Sequence, residues 1–366
     1  MKTLYGILLL VGLATGARAQ DASCTQILRS IRQIYTEGRL QEIPTTLDRS
    51  ECFTRTEGNG GFSQQERVEA YKTLTLAYIY LEEPEKADEA MLNLLSTDHF
   101  FQTDENLDPA EFISLYKKFR TWPIFRVGGG LGIVGTIPQV IDENYVLGNA
   151  NGEGKYGIKP GFTLALTFEL DLFRKSPSKF LQRLVLNPDL AYTGRGLNYD
   201  NSRNFISDEG DPVSQTTGAI SQKWLDLNVI VHYRLSENHP LDPYVGLGGG
   251  VNYLLSATTQ GLQTSRTGQS AGVVQGPDFD IQELYNPINA SVVLAAGAKY
   301  RIGAIYLTGD LQYQYGLLNV VDPSQRYSIP ELVYDYGFVL DNMKQHTILF
   351  RIGVTYPYFN PIKLIR

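Results

Sequence analysis

Residues Lys159 to Leu172 read K-P-G-F-T-L-A-L-T-F-E-L-D-L. One alternating set is Pro160, Phe162, Leu164, Leu166, Phe168, Leu170 and Leu172; the other is Lys159, Gly161, Thr163, Ala165, Thr167, Glu169 and Asp171. A period of two places each set on one face of an extended strand. The run outlasts an ordinary strand of about 5–6 residues. A tilted strand crossing an outer membrane needs about 9–11 residues, apolar towards lipid and polar towards the barrel interior. The run meets that length, and the question becomes whether it has partners.

Seven further segments alternate in the same way: Phe125 to Gly135, Leu184 to Gly196, Trp224 to Leu235, Tyr244 to Leu255, Ala290 to Ile302, Ile305 to Tyr315 and Ile348 to Tyr356. Their connections alternate as well. Long ones around Gln139 to Glu153, Asn198 to Ala219, Thr258 to Pro287 and Asn319 to Lys344 are separated by short ones at Arg174 to Lys179, Ser236 to Pro243 and Gly303. An even strand count with long external loops and short periplasmic turns is the pattern of an outer-membrane barrel. A soluble lipocalin-like barrel would turn its apolar set inward and would not alternate its loops. The expected fold is therefore α+β: a small periplasmic helical bundle, then an eight-stranded antiparallel transmembrane β-barrel over residues 123–366.

Eight strands leave a lumen just wide enough for side chains to fill. The inward set carries Arg126, Lys159, Glu169, Asp171, Asp189, Arg195, Asp226, Arg234, Lys299, Arg301, Asp310 and Arg351. Both signs are well represented, and a buried charge must be paired, so a salt-bridged polar plug is expected rather than a wide pore. The glycine clusters at 128–130 and 248–250 let strands curve closely or let a bulky neighbour fill the lumen. They do not lead into a helix, so they are not phosphate loops.

The N-terminus has the form of a secretory signal, residues 1–19: Lys2, the apolar core Leu4 to Leu13, and Ala17-Arg18-Ala19 as the small-x-small cleavage site, so that the mature chain begins near Gln20. Acylation of Cys24 as a lipoprotein is the weaker alternative, because Asp21 stands where such a signal wants an aliphatic residue. The two cysteines, Cys24 and Cys52, form a disulfide in an oxidising envelope compartment, contributing about 3–4 kcal/mol; two unpaired buried thiols are the alternative. From residue 20 to 122 the pattern turns helical. Ile27, Ile31 and Ile34 lead to a C-cap at Gly38, Ser63 to Glu66 make a capping box, and Pro84 and Asp108-Pro109 open further helices. The stretch A-Y-I-Y-L-E-E-P-E-K-A-D-E-A resembles a single tetratricopeptide-like hairpin. A net charge of -7 argues against a nucleic-acid partner.

Three segments carry a family resemblance: G-G-G-L-G-I in the first strand, Y-V-G-L-G-G-G-V-N-Y in the fifth and F-R-I-G-V-T-Y in the last. Over roughly Trp122 to Phe359 the chain resembles the PorT-like outer-membrane β-barrels of Bacteroidota, and the cleavage context A-R-A-Q is similar to that phylum's. It departs from the usual barrel ending, since Tyr356, Tyr358 and Phe359 are followed by Asn-Pro-Ile-Lys-Leu-Ile-Arg. The resemblance implies a non-enzymatic accessory subunit of a secretion, gliding, nutrient-uptake or barrel-assembly complex, without cofactor. Its partners would be outer-membrane lipid and a protein bound by the helices or the external loops. Two alternatives remain. An enzyme acting on lipid would use His346 at the outer rim, since His232 and His239 fall near the periplasmic side and His99 in the helical domain. A receptor would use the loop tyrosines Tyr145, Tyr199, Tyr285, Tyr327, Tyr334 and Tyr336, or calcium held by Asp278, Asp280 and Glu283.

Overall fold

A computed structural model describes residues 24–144, 154–174, 176–206, 211–236, 240–266 and 272–364. The signal segment, Gln20, Tyr145 and His239 lie outside the described residues. The chain divides into two compact units, Met1–Pro123 with Phe359–Arg366, and Ile124–Tyr358.

The first unit is helical. Residues 24–36 form α1, followed by α2 (Glu42–Ser50), α3 (Gln64–Tyr80), α4 (Pro84–Thr97) and α5 (Ala110–Tyr116). Gly38 ends α1 in the left-handed region, at φ 76°, which glycine occupies without a Cβ penalty. Ser63 Oγ accepts from Glu66 N (3.3 Å) while the Glu66 carboxylate accepts from Ser63 N (3.0 Å), so two orphan donors at the start of α3 are satisfied. Cys24 and Cys52 are disulfide-bonded within a core that includes Leu28, Ile31, Ile43, Leu47 and Phe62. A second core gathers Leu76, Met91, Leu94, Leu95, Phe112 and Phe119. The last strand of the sheet ends at Tyr358. Pro361 has no N–H to continue a strand ladder, and from Phe359 the chain joins the helical unit. Phe359 stacks on His99 (5.1 Å), Arg120 N donates to the Ile362 carbonyl (2.9 Å), and Lys363 pairs with Asp88.

The second unit is a sheet of β1 (Phe125–Asp142), β2 (Lys155–Glu169), β3 (Leu184–Ile206), β4 (Pro212–Arg234), β5 (Leu241–Arg266), β6 (Gly272–Gln275), β7 (Ile288–Ile302), β8 (Ile305–Gly316) and β9 (Asn342–Tyr358). Every pairing is antiparallel; β4 pairs with β5, β5 with β7, and β9 returns to β1, so eight strands close a ring. Short β6 adds to the far end of β5, outside that ring. Closure removes the exposed edge that an open sheet would leave.

The wall is inverted relative to a soluble protein. Val127, Leu131, Leu166, Leu227, Leu294 and Phe350 are exposed, while Arg126, Asp226, Asn228, Lys299 and Arg351 are buried. An apolar exterior around a polar interior is a lipid-facing surface. At the short-turn end Phe125 stacks on Phe168 (5.1 Å) and Tyr358 (5.0 Å); towards the long-loop end Tyr315 stacks on His346 (4.4 Å). Such amphipathic rings suit the border between hydrocarbon and water. The tight turn between β7 and β8 places Gly303 at φ 58°, between the paired Ile302 and Ile305.

At the long-loop end the strands outrun the sequence reading. β3, β4 and β5 span 23, 23 and 26 residues, more than twice the about 9–11 a crossing needs. Most of the stretch expected as a loop from Asn198 to Ala219 is therefore paired strand.

We expect replacement of both Cys24 and Cys52 by serine in the full chain to lower the stability of the helical unit by about 3–4 kcal/mol. Helical circular dichroism during urea unfolding measures the loss, and in a Trp122→Phe background the fluorescence of Trp224 inside the barrel should keep its own midpoint.

Candidate functional site

The chemistry-bearing side chains of the barrel converge on its lumen. They occupy it in tiers from the short-turn end. In the lowest tier Arg126 pairs with Asp171 (2.9 Å) and Glu169 (3.6 Å), Arg234 with Asp171 (3.6 Å), and Lys299 with Glu169. In the next, Arg351 bridges Asp189 (2.6 Å) and Asp310 (3.2 Å), and Asn228 Nδ2 donates to Asp189 (3.4 Å). Above it Arg195 pairs with Asp226 (2.8 Å), which also accepts from Asn252 Nδ2 (2.7 Å). Five cations (Arg126, Arg195, Arg234, Lys299, Arg351) thus meet five carboxylates (Glu169, Asp171, Asp189, Asp226, Asp310).

Ten of the twelve residues placed inward by alternation lie in these tiers, and two do not. Lys159 sits beyond a register shift in the β2–β3 ladder, half-buried, and its Nζ donates to Gln260 (2.9 Å) outside these tiers. A bulge of this kind re-aims side chains relative to strict alternation. Arg301 is exposed beside the tight β7–β8 turn, past the end of the lumen. The lumen-facing glycines make room for neighbours: a Cβ on Gly250 would meet Asn228 Oδ1 at 2.0 Å, and one on Gly246 the His232 ring at 2.6 Å. That ring stacks on Tyr244 (4.4 Å).

The upper lumen departs from the polar expectation. Arg195 lies 4.9 Å from the Trp224 ring centroid, and beyond Trp224 an apolar cluster takes up much of the interior. Leu197, Tyr199, Ile220, Leu254 and Leu262 of the long strands and Met343 of β9 pack against Tyr285, Val320, Leu332, Tyr336 and Phe338 of the connections. The segment before β9, with α6 (Pro330–Tyr334), turns inward as an apolar plug. Thr216 Oγ1 donates to the Tyr336 carbonyl (2.6 Å), satisfying a backbone group that the plug takes out of water. Sequence reading missed this because it treated Asn319 to Lys344 as external loop. The signal lay in Val320-Val321, Leu332-Val333 and Phe338-Val339-Leu340, apolar doublets and a triplet that a solvated loop would not carry.

The plug also places the receptor candidates. Tyr199, Tyr285 and Tyr336 are buried in it, whereas Tyr327 and Tyr334 are 51% and 74% exposed. Asp280 accepts from Gln282 N (3.0 Å) and Glu283 from the Ser328 hydroxyl (2.7 Å). Among the described residues no three such ligands are grouped as a metal ion would require. His346 lies on the outward face. Its Nδ1 accepts from Gly316 N (3.1 Å) and its Nε2 meets Gln139 Oε1 (3.0 Å), so both ring nitrogens hold rim structure. Asp341, just before β9, accepts from Asn144 N (2.7 Å), and its own N–H donates to Tyr156 Oη (3.2 Å). Burial raises its carboxyl to about 6.

A closed ring with a lipid-facing exterior and a charge-paired interior defines a transmembrane β-barrel of the outer-membrane type. The family profile for the outer membrane protein beta-barrel domain matches residues 124–322, more than half of the 366 residues, and the chain belongs to that family. Among solved structures it is similar to Neisserial surface protein A, at 12% identity and TM-score 0.30, covering 64% of this chain and 97% of that one. It is also similar to OprG from Pseudomonas aeruginosa (12%, TM-score 0.35, 64% and 96%) and to the outer membrane protease OmpT from Escherichia coli (10%, TM-score 0.35, 64% and 96%). Likeness this remote transfers no activity. No curated protein sequence matches the chain.

Two predictions follow from the lumen. Arg351→Ala leaves Asp189 and Asp310 without their cation, and it should cost about 3–5 kcal/mol of barrel stability, read from Trp224 fluorescence in the Trp122→Phe background during urea unfolding in micelles. The second concerns Asp341. Its carboxyl binds a proton more tightly folded than unfolded, so its contribution to stability falls as pH rises from about 4 to about 6. Asp341→Asn should therefore be more stable than the parent at pH 7, by on the order of 2 kcal/mol, with the difference vanishing towards pH 4. Parallel urea midpoints across that range measure it.

Proposed function

We propose that the protein is a non-enzymatic accessory subunit of a Bacteroidota envelope complex, in which the barrel holds the chain in the outer membrane and the helical unit docks a protein partner in the periplasm. The carrying observation is the filled lumen: paired charges occupy one half and the apolar plug the other. A barrel built this way is an anchor, because passage of solute would require both fillings to be dismantled. The orientation follows from turn lengths. Outer-membrane barrels keep short turns on the periplasmic side, and the chain enters at Phe125 and leaves at Tyr358 at that end. An oxidising periplasm also suits the Cys24–Cys52 disulfide. We assign partner docking to the helical unit around the α3–α4 hairpin, the segment similar to one tetratricopeptide unit. The remaining partner is outer-membrane lipid; the acidic charge does not favour nucleic acid.

The test is a native pull-down from outer membranes in mild detergent, with a tag in an external loop. The expected result is a stoichiometric protein partner that is lost when residues 24–121 are deleted, while the barrel still reaches the membrane. Isolation as a lone monomer under every extraction condition would refute the subunit reading.

A further inference from the structure

The two glycine clusters differ in what their outward members face. Along the outward side of β1, Gly129 stands between Leu166 of β2 and Val354 of β9 in register. With no side chain there, the wall carries a recess of about 640 Å³, lined by Gly129, Leu131, Leu166, Leu190, Ile352 and Val354 among others, nearly all aliphatic carbon. These flanking side chains are exposed on the wall; Leu166, for example, is 65% exposed. Gly129 lies four residues along β1 from Phe125, so the recess falls inside the apolar band, about 10 Å from the aromatic border.

We infer that this recess is a binding site for one acyl chain of a membrane phospholipid. The recess is continuous with the wall that the bilayer covers, so its occupant is drawn from that bilayer. A wall of aliphatic carbon offers no hydrogen-bond partner, and a methylene chain needs none. An unfilled gap there would forfeit the contacts of every side chain around it. A flexible chain can lie along such a recess and recover them. This inference depends on the barrel's membrane class and not on partner docking, so failure of the pull-down leaves it standing.

The molecule supplies its own control. Gly249, the middle residue of the second cluster, also faces outward, and β5 stands four strands from β1 in either direction around the ring. It does not line this recess. A Cβ on either glycine would come no nearer than 3.7 Å to a neighbour, so both positions accept a side chain without backbone conflict. Gly129→Leu puts four carbons into the middle of the recess and obstructs it; Gly249→Leu adds the same carbon to the opposite wall.

Native mass spectrometry of the full-length protein, extracted in mild detergent and stripped stepwise, counts the phospholipid retained. The expected result is one tightly held phospholipid on the parent and on G249L, with occupancy at least about fivefold lower on G129L. Phosphatidylethanolamine carrying a photoreactive acyl chain, reconstituted with the parent, should crosslink to peptides containing Leu131, Leu166 or Ile352, a readout that needs no variant to fold. The inference fails if the parent retains no lipid, if G129L retains as much as the parent, or if G249L loses as much as G129L. Loss of a co-purifying membrane protein from G129L, with lipid unchanged, would assign the recess to a protein knob instead.

Discussion

Lys299 on β7 and Glu169 on β2 stand four strands apart in a ring of eight, on opposite walls, and they touch. Neither charge can sit in a low-dielectric interior alone, since an unpaired buried ion costs several kcal/mol. The pair therefore exists only when the ring is closed and both strands are in register. Arg351 imposes the same condition on three strands, reaching from β9 to Asp310 on β8 and Asp189 on β3. Such pairs add little net stability compared with an apolar filling. Their effect is specificity: a slip of one residue would turn each charge towards lipid, where Arg or Lys at the bilayer midplane costs about 2–4 kcal/mol.

The two halves of the lumen solve the same filling problem with different chemistry. Near the short turns the filling comes from the wall itself, whose inward residues are mostly charged or polar, with the small apolar cluster of Ile230, Val293 and Ala295 among them. Near the long connections β3, β4 and β5 rise beyond the length a crossing requires and enclose space that their own side chains do not fill. Apolar residues from the segment before β9 complete it. The junction is Trp224, whose Nε1 donates to Gln222 (3.0 Å) while Arg195 lies over its ring. One face of this side chain meets the ion pairs and the other the apolar plug, so the change of chemistry leaves the indole N–H bonded.

Much of this was legible in the alternation, because lipid outside and a narrow lumen inside force every second residue to declare its side. That constraint fails in two places. At Lys159 a register shift breaks the count, and at Arg301 the strand has already left the lumen. It also says nothing about a connection that folds back into the barrel, since such a segment answers to a local core rather than to the bilayer. The helical unit was readable through its caps, where Gly38, Ser63 and Pro84 each act within a few residues. The tail was not. Its place depends on contacts such as Lys363 with Asp88, which join opposite ends of the chain and leave no local pattern.

Glycine shows why side matters more than type in this barrel. At Gly250 and Gly246 the missing side chain is inward, and Asn228 and the His232 ring occupy the space it leaves. There glycine is a packing choice inside a filled core, and any larger residue meets an atom already present. At Gly129 the missing side chain is outward, and no part of the protein enters the gap. The same composition therefore closes the interior and opens the exterior. With the lumen filled, the surfaces this barrel leaves open are its lipid-facing wall and its two ends.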